Sequence, residues 1–500
     1  MSSEKLLVID AGSSFLRGYL ISTEGKIIKT SKFRWKSLTD PNFPSIIEYD
    51  AHALEIGMRN VLKELLNSVD PKDILGISCL AQRMGTVFLG ESEQVIYAGP
   101  NVDSRGALTD FFIDESMQRD IYRVTGHTPA FLFSPMRYKW FWENDEGTAR
   151  KIKKILTIHD WIIYFLTGKL VTDPSIASST LLFDIHKNTW SNEILELYGI
   201  DESMLPEIKP TCTVVGNPKK SLVENLGISS DTLIFIGGGD TQFGILSTHC
   251  KEQGDIGCVA GYTAPVQHIM DHVIIDQKMR TWTECYILPN KWIFESNPGI
   301  VGGIIDWFVG GFVINKGNPY DYLDTVFETI SPEKCGVKFY FGNNIMDAKN
   351  MADFKPYCIS IFSNPGIPLA PKESLETFSR GLIESLAYAV FANINQIFEI
   401  TNTKIKHFGI TGGLSRLRSF TKVLSSLMRT RTYVTSRHEG TALGCAAMMA
   451  YKLGFYPSIE DALEKMIPLE EIYVREKDRE IYREKYNDWL YYYNQIKEGL

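Results

Sequence analysis

The chain lacks any run of about 18 uncharged apolar residues, the length a membrane-spanning helix requires; its most apolar later stretch, Ile300 to Val313, is broken by Asp306 and several glycines. No membrane span is expected. It also lacks a C-x-x-C pair. The eight cysteines (Cys79, Cys212, Cys250, Cys258, Cys285, Cys335, Cys358 and Cys445) are scattered, so neither a zinc site nor a disulfide framework is signalled, and they read as buried thiols. The nine histidines show no metal-ligand spacing. No G-x-x-x-x-G-K-[ST] is present, which excludes a P-loop, and the protein-kinase set of Gly-rich loop, H-R-D and D-F-G is missing too. Positive charge is in deficit: 52 Lys and Arg against 60 Asp and Glu leave a net charge of −8, with no electrostatic footprint for nucleic acid. A small molecule is the expected partner. The only apolar residues near the N-terminus, Leu6 to Ile9, stop at Asp10 and are too few for a signal peptide, so a cytoplasmic location is expected.

What is present describes a packed α/β enzyme. The 500 residues exceed one ordinary hydrophobic core, and the expectation is two domains, 1–248 and 249–500. Apolar residues make up 44% and charged residues 22%, as in globular proteins. Leu6 to Asp10 and Phe15 to Ile21 are apolar runs around a small-residue turn, and Lys26 to Lys32 returns as a third strand. Helical spacing follows from Asp50 to Leu66, and Ile74 to Leu80 reads as a buried strand. The second half repeats the scheme. Gly254 to His268 gives strand, turn and strand, and a long amphipathic helix, Phe378 to Glu399, feeds the strand His407 to Thr411. A duplicated unit with a hinge near residues 241–255 is expected.

Five segments carry candidate chemistry. In Asp10-Ala-Gly-Ser-Ser-Phe-Leu-Arg17, Ser13, Ser14 and backbone N–H groups can donate to phosphate oxygens, Arg17 can neutralise charge, and Asp10 can hold Mg²⁺. Standing alone, the segment is equally an ordinary hairpin turn. Thr411-Gly-Gly-Leu-Ser415 sits at a strand end before an apolar helix, where Gly412 and Gly413 let a nucleotide approach the backbone. Gly237-Gly-Gly-Asp240 places three glycines before a carboxylate that can accept the proton of an attacking hydroxyl; the plainer alternative is a helix cap. Gln82-Arg83-Met84 and Asn101-Val-Asp103 follow predicted strands and carry polar groups suited to reading hydroxyls, or merely the polarity of surface loops. Glu439-Gly-Thr-Ala-Leu-Gly opens a helix with small residues and reads as structural. His159-Asp160 reads as a helix start.

Taken in order along the chain, D-x-G-[ST]-[ST]-x-x-R, G-G-G-D, the later G-G and E-x-T-A-L-G-x-A resemble the FGGY carbohydrate kinases of the actin-like ATPase superfamily over nearly the whole length. The resemblance implies an RNase H-like domain in each half, sugar bound mainly by the first, ATP mainly by the second, and a catalytic cleft between them. It implies Asp240 as catalytic base, Asp10 as the Mg²⁺-associated carboxylate, Ser13, Ser14 and Arg17 as the first phosphate loop, Gly261 and Thr263 as the second, and Gly412, Gly413 and Ser415 on the adenosine side. Gln82, Arg83, Met84, Asn101, Asp103, Asp240 and Gln242 are the implied sugar contacts. Within the family, the segments from Asn101, Asp160, Asp173 and Gly237 look most like autoinducer-2 kinases. Met84 departs from them and from glycerol kinases, which carry an acid there; Leu417 and Ser426 depart on the adenosine side. The implied substrate is a small sugar, ketose, polyol or autoinducer-2-like compound. A homodimer would be unsurprising at this size. The alternative function is a non-catalytic, sugar-responsive regulator descended from a kinase. Leu469-Glu-Glu-Ile and the charged residues after it read as a solvated helix.

Overall fold

The computed structural model describes residues 4–314, 316–353, 357–362, 374–437 and 439–499. The apolar runs that open the chain form an antiparallel meander of β1 (Lys5–Ala11), β2 (Phe15–Ser22) and β3 (Ile27–Arg34). Asp50 caps α1 (Ala51–Leu66) by accepting the backbone N–H groups of His52 and Ala53, orphan donors that a helix start must satisfy. The helix returns the chain to β4 (Ile74–Ala81), which runs parallel to β1. After a long excursion, β5 (Val214–Gly216) and β6 (Leu233–Phe235) complete the order β5-β6-β4-β1-β2-β3. A two-residue strand, β7 (Gly238–Gly239), pairs with the end of β4 and leads into α2 (Asp240–Ser247).

The second sheet repeats this wiring. β8 (Asp255–Val259), β9 (Val266–Met270) and, beyond β10 (Trp282–Cys285), β11 (Trp292–Ser296) form the meander, with β10 added on its outer side. The helix α3 (Leu375–Thr401), capped by Ser374, precedes β12 (His407–Thr411), parallel to β8; β13 (Thr432–Thr435) lies parallel to β12. The helix α4 (Gly440–Lys452) then stands where α2 stands in the first half, and β14 (Leu469–Glu471) closes the edge antiparallel. The expected duplicated α/β architecture is the one observed.

The segment around Leu469 therefore differs from its sequence reading: Leu469–Glu471 is an edge strand, whose outward face tolerates charge. The chain ends in α5 (Glu476–Gly499), and its alternating charges hide a buried stripe of Tyr482, Tyr486, Trp489 and Tyr493 at helical spacing. Trp489 is fully buried and stacks on Tyr340 and Tyr493 with ring centroids 5.4 Å away in each case. Seven of the cysteines are buried as read, but Cys358 is exposed.

Between the halves lies a core of its own, built from Leu6 and Val8 of β1, Phe243 of α2, and Leu443 and Met449 of α4. The helix α4 approaches α2 closely at Gly440 and Gly444, which bring no side chain to the contact. A Cβ on Gly444 would fall 2.5 Å from the Phe243 carbonyl oxygen, and one on Gly440 2.4 Å from Thr411 Oγ1. The excursion of the first half also holds a separate core, including Phe88, Tyr97, Phe133, Phe141 and Phe183, distinct from the cluster of Leu7, Ile9, Leu62 and Ile77 under the sheet. Among the described residues, no helix is long and apolar enough to cross a membrane.

Candidate active site

The strand register decides what meets what. Ala11 of β1 pairs with Ala81 of β4, and Ala81 pairs with Gly239 of β7. Asp10, Arg83 and Asp240 thus leave the same ends of three adjacent parallel strands.

The turn after Asp10 is held with its carbonyls occupied. Trp35 Nε1 donates to Gly12 O at 2.9 Å, Tyr49 Oη to Ser13 O at 2.6 Å, and the Trp35 N–H to Ser14 O at 3.1 Å, while Ser13 and Ser14 themselves are exposed. Negative oxygens are tied back and hydroxyls stand forward, which suits a phosphate. Arg17 sits opposite Asp10 across the hairpin, its Nη1 3.4 Å from Asp10 Oδ2. Burial, followed by the negative charges of Asp240 and Glu439, pushes the Asp10 carboxyl up to about 7 against the pull of Arg17.

Glu439 is the residue that sequence reasoning missed. It precedes α4 in a left-handed conformation (φ 64°), and its Oε2 accepts a 2.8 Å hydrogen bond from Tyr19 Oη of the opposite half. The sequence signal was an acid directly before the small residues; the reading dwelt on the small residues.

Three glycines precede Asp240 because nothing larger fits. A Cβ on Gly237 would lie 1.5 Å from the Cys79 carbonyl oxygen, on Gly238 2.7 Å from Ser175 Oγ, and on Gly239 2.1 Å from Gln242 Oε1. Ser175 Oγ accepts the Gly239 N–H at 3.1 Å and donates to Asp173, a fully buried carboxylate also bound by Thr211 Oγ1 at 2.6 Å. Asp240 begins α2 but does not cap it. Its Oδ1 accepts the Thr241 N–H and hydroxyl at 2.7 and 3.1 Å, and its Oδ2 stays free of them. Burial raises its proton affinity, and Arg83 opposes the rise.

In the second half, two loops converge on Ala260. Its N–H donates to Thr411 O, and its carbonyl accepts the Leu414 N–H. Gly412 has φ 96° and would clash with Ala260 O if it carried a Cβ, whereas the space beside Gly413 is open. Ser415 Oγ donates back to Gly412 O at 2.7 Å, and Gly261 N donates to Thr263 O at 2.9 Å.

The expected sugar contacts divide. Gln82 is spent inside the protein, donating to Tyr49 Oη at 2.9 Å and accepting the Asn101 N–H at 3.1 Å. Asp103 is fully buried, with Tyr97 and Arg105 on Oδ2 at 2.5 and 2.6 Å and the Ile47 N–H on Oδ1, so it braces its loop and presents no oxygen to a ligand. Met84 is buried at φ 62°, its carbonyl fixed by Arg137. Gln242 is fully buried; it donates to Glu284 at 2.9 Å, and its Oε1 has no partner. Arg83 reaches across to the second half, where Glu284 and Glu295 hold it at 2.8 Å each. His159-Asp160 lies in a helix-start capping box with Thr157, as read from sequence.

Comparison with known proteins follows this geometry. The model of the FGGY family of carbohydrate kinases matches as its N-terminal domain over residues 5–247 and as its C-terminal domain over residues 349–453. A Bacillus subtilis (strain 168) protein, YoaC, provisionally described as a sugar kinase, is 26% identical over 444 residues, covering 88% of each chain. The autoinducer-2 kinase of Salmonella typhimurium is 24% identical over 481 residues, covering 93% of this chain and 89% of its own. The crystal structure of xylulose kinase from Lactobacillus acidophilus superposes with a TM-score of 0.86 at 19% identity, covering 99% of this chain and 98% of that one.

Proposed function

The chain belongs to the FGGY family of carbohydrate kinases, and from that premise we propose that it transfers the γ-phosphoryl group of ATP to a hydroxyl of a small sugar, ketose, polyol or autoinducer-2-like compound, with Asp240 as general base. The observation that carries this reading is Asp240 itself: one oxygen pinned, one free, on a loop whose glycines leave it no latitude, one strand away from the Asp10 turn. The acceptor hydroxyl hydrogen-bonds to Asp240 Oδ2 and gives up its proton there as its oxygen attacks phosphorus. Ser13, Ser14, Arg17 and Thr263 hold the phosphate oxygens, and Gly412, Gly413 and Ser415 receive the nucleoside. For phosphoryl transfer, such positioning and charge stabilisation supply most of the rate.

Asp10 is the carboxylate suited to Mg²⁺. Among the described residues no group of three or more His, Cys, Asp or Glu could hold a metal, and Mg²⁺ ordinarily takes one or two carboxylates with waters and substrate phosphates, a demand Asp10 fits. When bound there, the ion would neutralise phosphate charge. With the division at 248/249, the first half reads the acceptor and the second holds the nucleotide, and we place the protein in the cytoplasm as a homodimer, to be checked by light scattering.

The test is ADP release with Mg²⁺ and ATP against glycerol, pentuloses, hexuloses, polyols and the linear autoinducer-2 precursor. Turnover on one acceptor is expected, falling by about 10²–10⁴ in Asp240→Asn with acceptor binding retained, the usual range for a lost general base. An active Asp240→Asn enzyme would remove Asp240 from the mechanism.

A further inference from the structure

On the acceptor side of Asp240, the cation that follows β4 is not free. Arg83 Nη1 lies 2.8 Å from both Glu284 Oε2 and Glu295 Oε2, and its Nη2 donates to Glu295 Oε1 at 3.0 Å. Both glutamates are fully buried and come from β10 and β11 of the other half. Gln242 Nε2 and Gln267 Nε2 donate to them in turn, at 2.9 and 2.6 Å.

A histidine joins this cluster. His127, fully buried, has Nδ1 3.1 Å from the Thr125 carbonyl oxygen and Nε2 3.0 Å from Glu284 Oε1. Burial drives the Glu284 carboxyl up, but Arg83 and His127 hold it below its ordinary value, so it stays ionised. The Arg83 guanidinium is thus held between two buried carboxylates.

We propose that Glu284 and Glu295 are specificity-determining residues that mask Arg83, so that the acceptor site takes neutral polyhydroxy compounds and rejects sugar acids. This rests on the kinase reading. A substrate carboxylate approaching Arg83 meets a guanidinium already held by two carboxylates, with Asp240 beside it, at a site where low polarisability magnifies the repulsion. A neutral acceptor finds the free Asp240 Oδ2 as a hydrogen-bond acceptor for its hydroxyl.

The experiment measures kcat/KM for a neutral six-carbon ketose or polyol and for gluconate, in wild type, Glu295→Gln and Glu295→Gln/Arg83→Gln, with calorimetric gluconate binding alongside. Wild type is expected to favour the neutral acceptor by 100-fold or more. Glu295→Gln unmasks one positive charge, and one charge-assisted hydrogen bond to the carboxylate raises relative gluconate use, or gluconate affinity, by about 10-fold or more. The double variant loses that gain. Should Glu295→Gln not fold, Glu284→Gln carries the same expectation. Gluconate used as well as the neutral acceptor by wild type, or a ratio unmoved by unmasking, overturns the masking and leaves the kinase reading intact. If no acceptor turns over in any form, the kinase reading fails, and the masking is then judged by binding alone: gain of gluconate affinity in Glu295→Gln, lost in the double variant, upholds it, and equal affinity refutes it.

Discussion

Replacing Asp10 by asparagine is expected to make the protein more stable while stopping turnover. Asp10 is buried beside Asp240 and Glu439, and its carboxyl is pushed from 3.8 to about 7. The folded state therefore binds this proton more tightly than the unfolded state. As pH rises from about 4 to about 7 the unfolded chain releases the proton first, so the contribution of this group to stability falls through that window and is flat above it. The full difference corresponds to about 4 kcal/mol, and relaxation of the neighbouring carboxylates reduces it to about 2–4 kcal/mol. Asparagine carries no charge to desolvate and is close in shape. At pH 8, without nucleotide or divalent cations, Asp10→Asn should melt about 2–4 °C above wild type, the shift that such an energy produces in a chain of 500 residues. At pH 5 the difference should shrink to less than half of that, and it should vanish below about pH 4. Thermal unfolding at pH 5, 6.5 and 8 measures both. An Asp10→Asn protein less stable than wild type at pH 8, or a difference between the two that shrinks as pH rises, would refute the reasoning.

Ser175→Ala strips the Gly239 N–H of its buried acceptor and Asp173 of a donor. A stability loss of about 1–3 kcal/mol is expected, together with a 10–100-fold fall in kcat at unchanged KM for ATP, because a small displacement of the base is costly; a lowered melting temperature with normal kcat would reduce Ser175 to a structural role. Trp489→Ala empties the centre of the α5 stripe and should cost about 3–5 kcal/mol in denaturant unfolding. A smaller loss would mean that α5 contributes little to the second core.

The sequence was most legible where small residues constrain the backbone. Gly237, Gly238 and Gly239 could be singled out without a structure because glycine is costly unless something demands it, and the demand is steric: Cys79 O, Ser175 Oγ and Gln242 Oε1 occupy the space. The duplicated sheet was legible from alternating apolar runs and turns. What could not be read were partnerships between distant segments. Arg83 meets glutamates 201 and 212 positions away, and Tyr19 meets Glu439 at a separation of 420. No local pattern encodes such pairs. Asp103 and Gln82 looked like ligand contacts because loop polarity is the same on paper whether its hydrogen bonds go to substrate or to Tyr97, Arg105 and Tyr49. The aromatic stripe of α5 was obscured by charges on its other faces, since an alternating charge pattern describes the wet side of a helix and says nothing of the dry one.

The separate core of the excursion bears on how such a chain changes over generations. Phe88, Phe133, Phe141 and Phe183 share a cluster with Trp282 and Cys285 of β10, apart from the cluster beneath the sheet. Substitutions that reshape the acceptor loops are absorbed by repacking inside this satellite. The strand ends that carry Asp10 and Asp240 keep their register throughout. A lineage built in this way can vary this core, together with the face of β10 it packs against, while Asp10 and Asp240 keep their places on the strand ends.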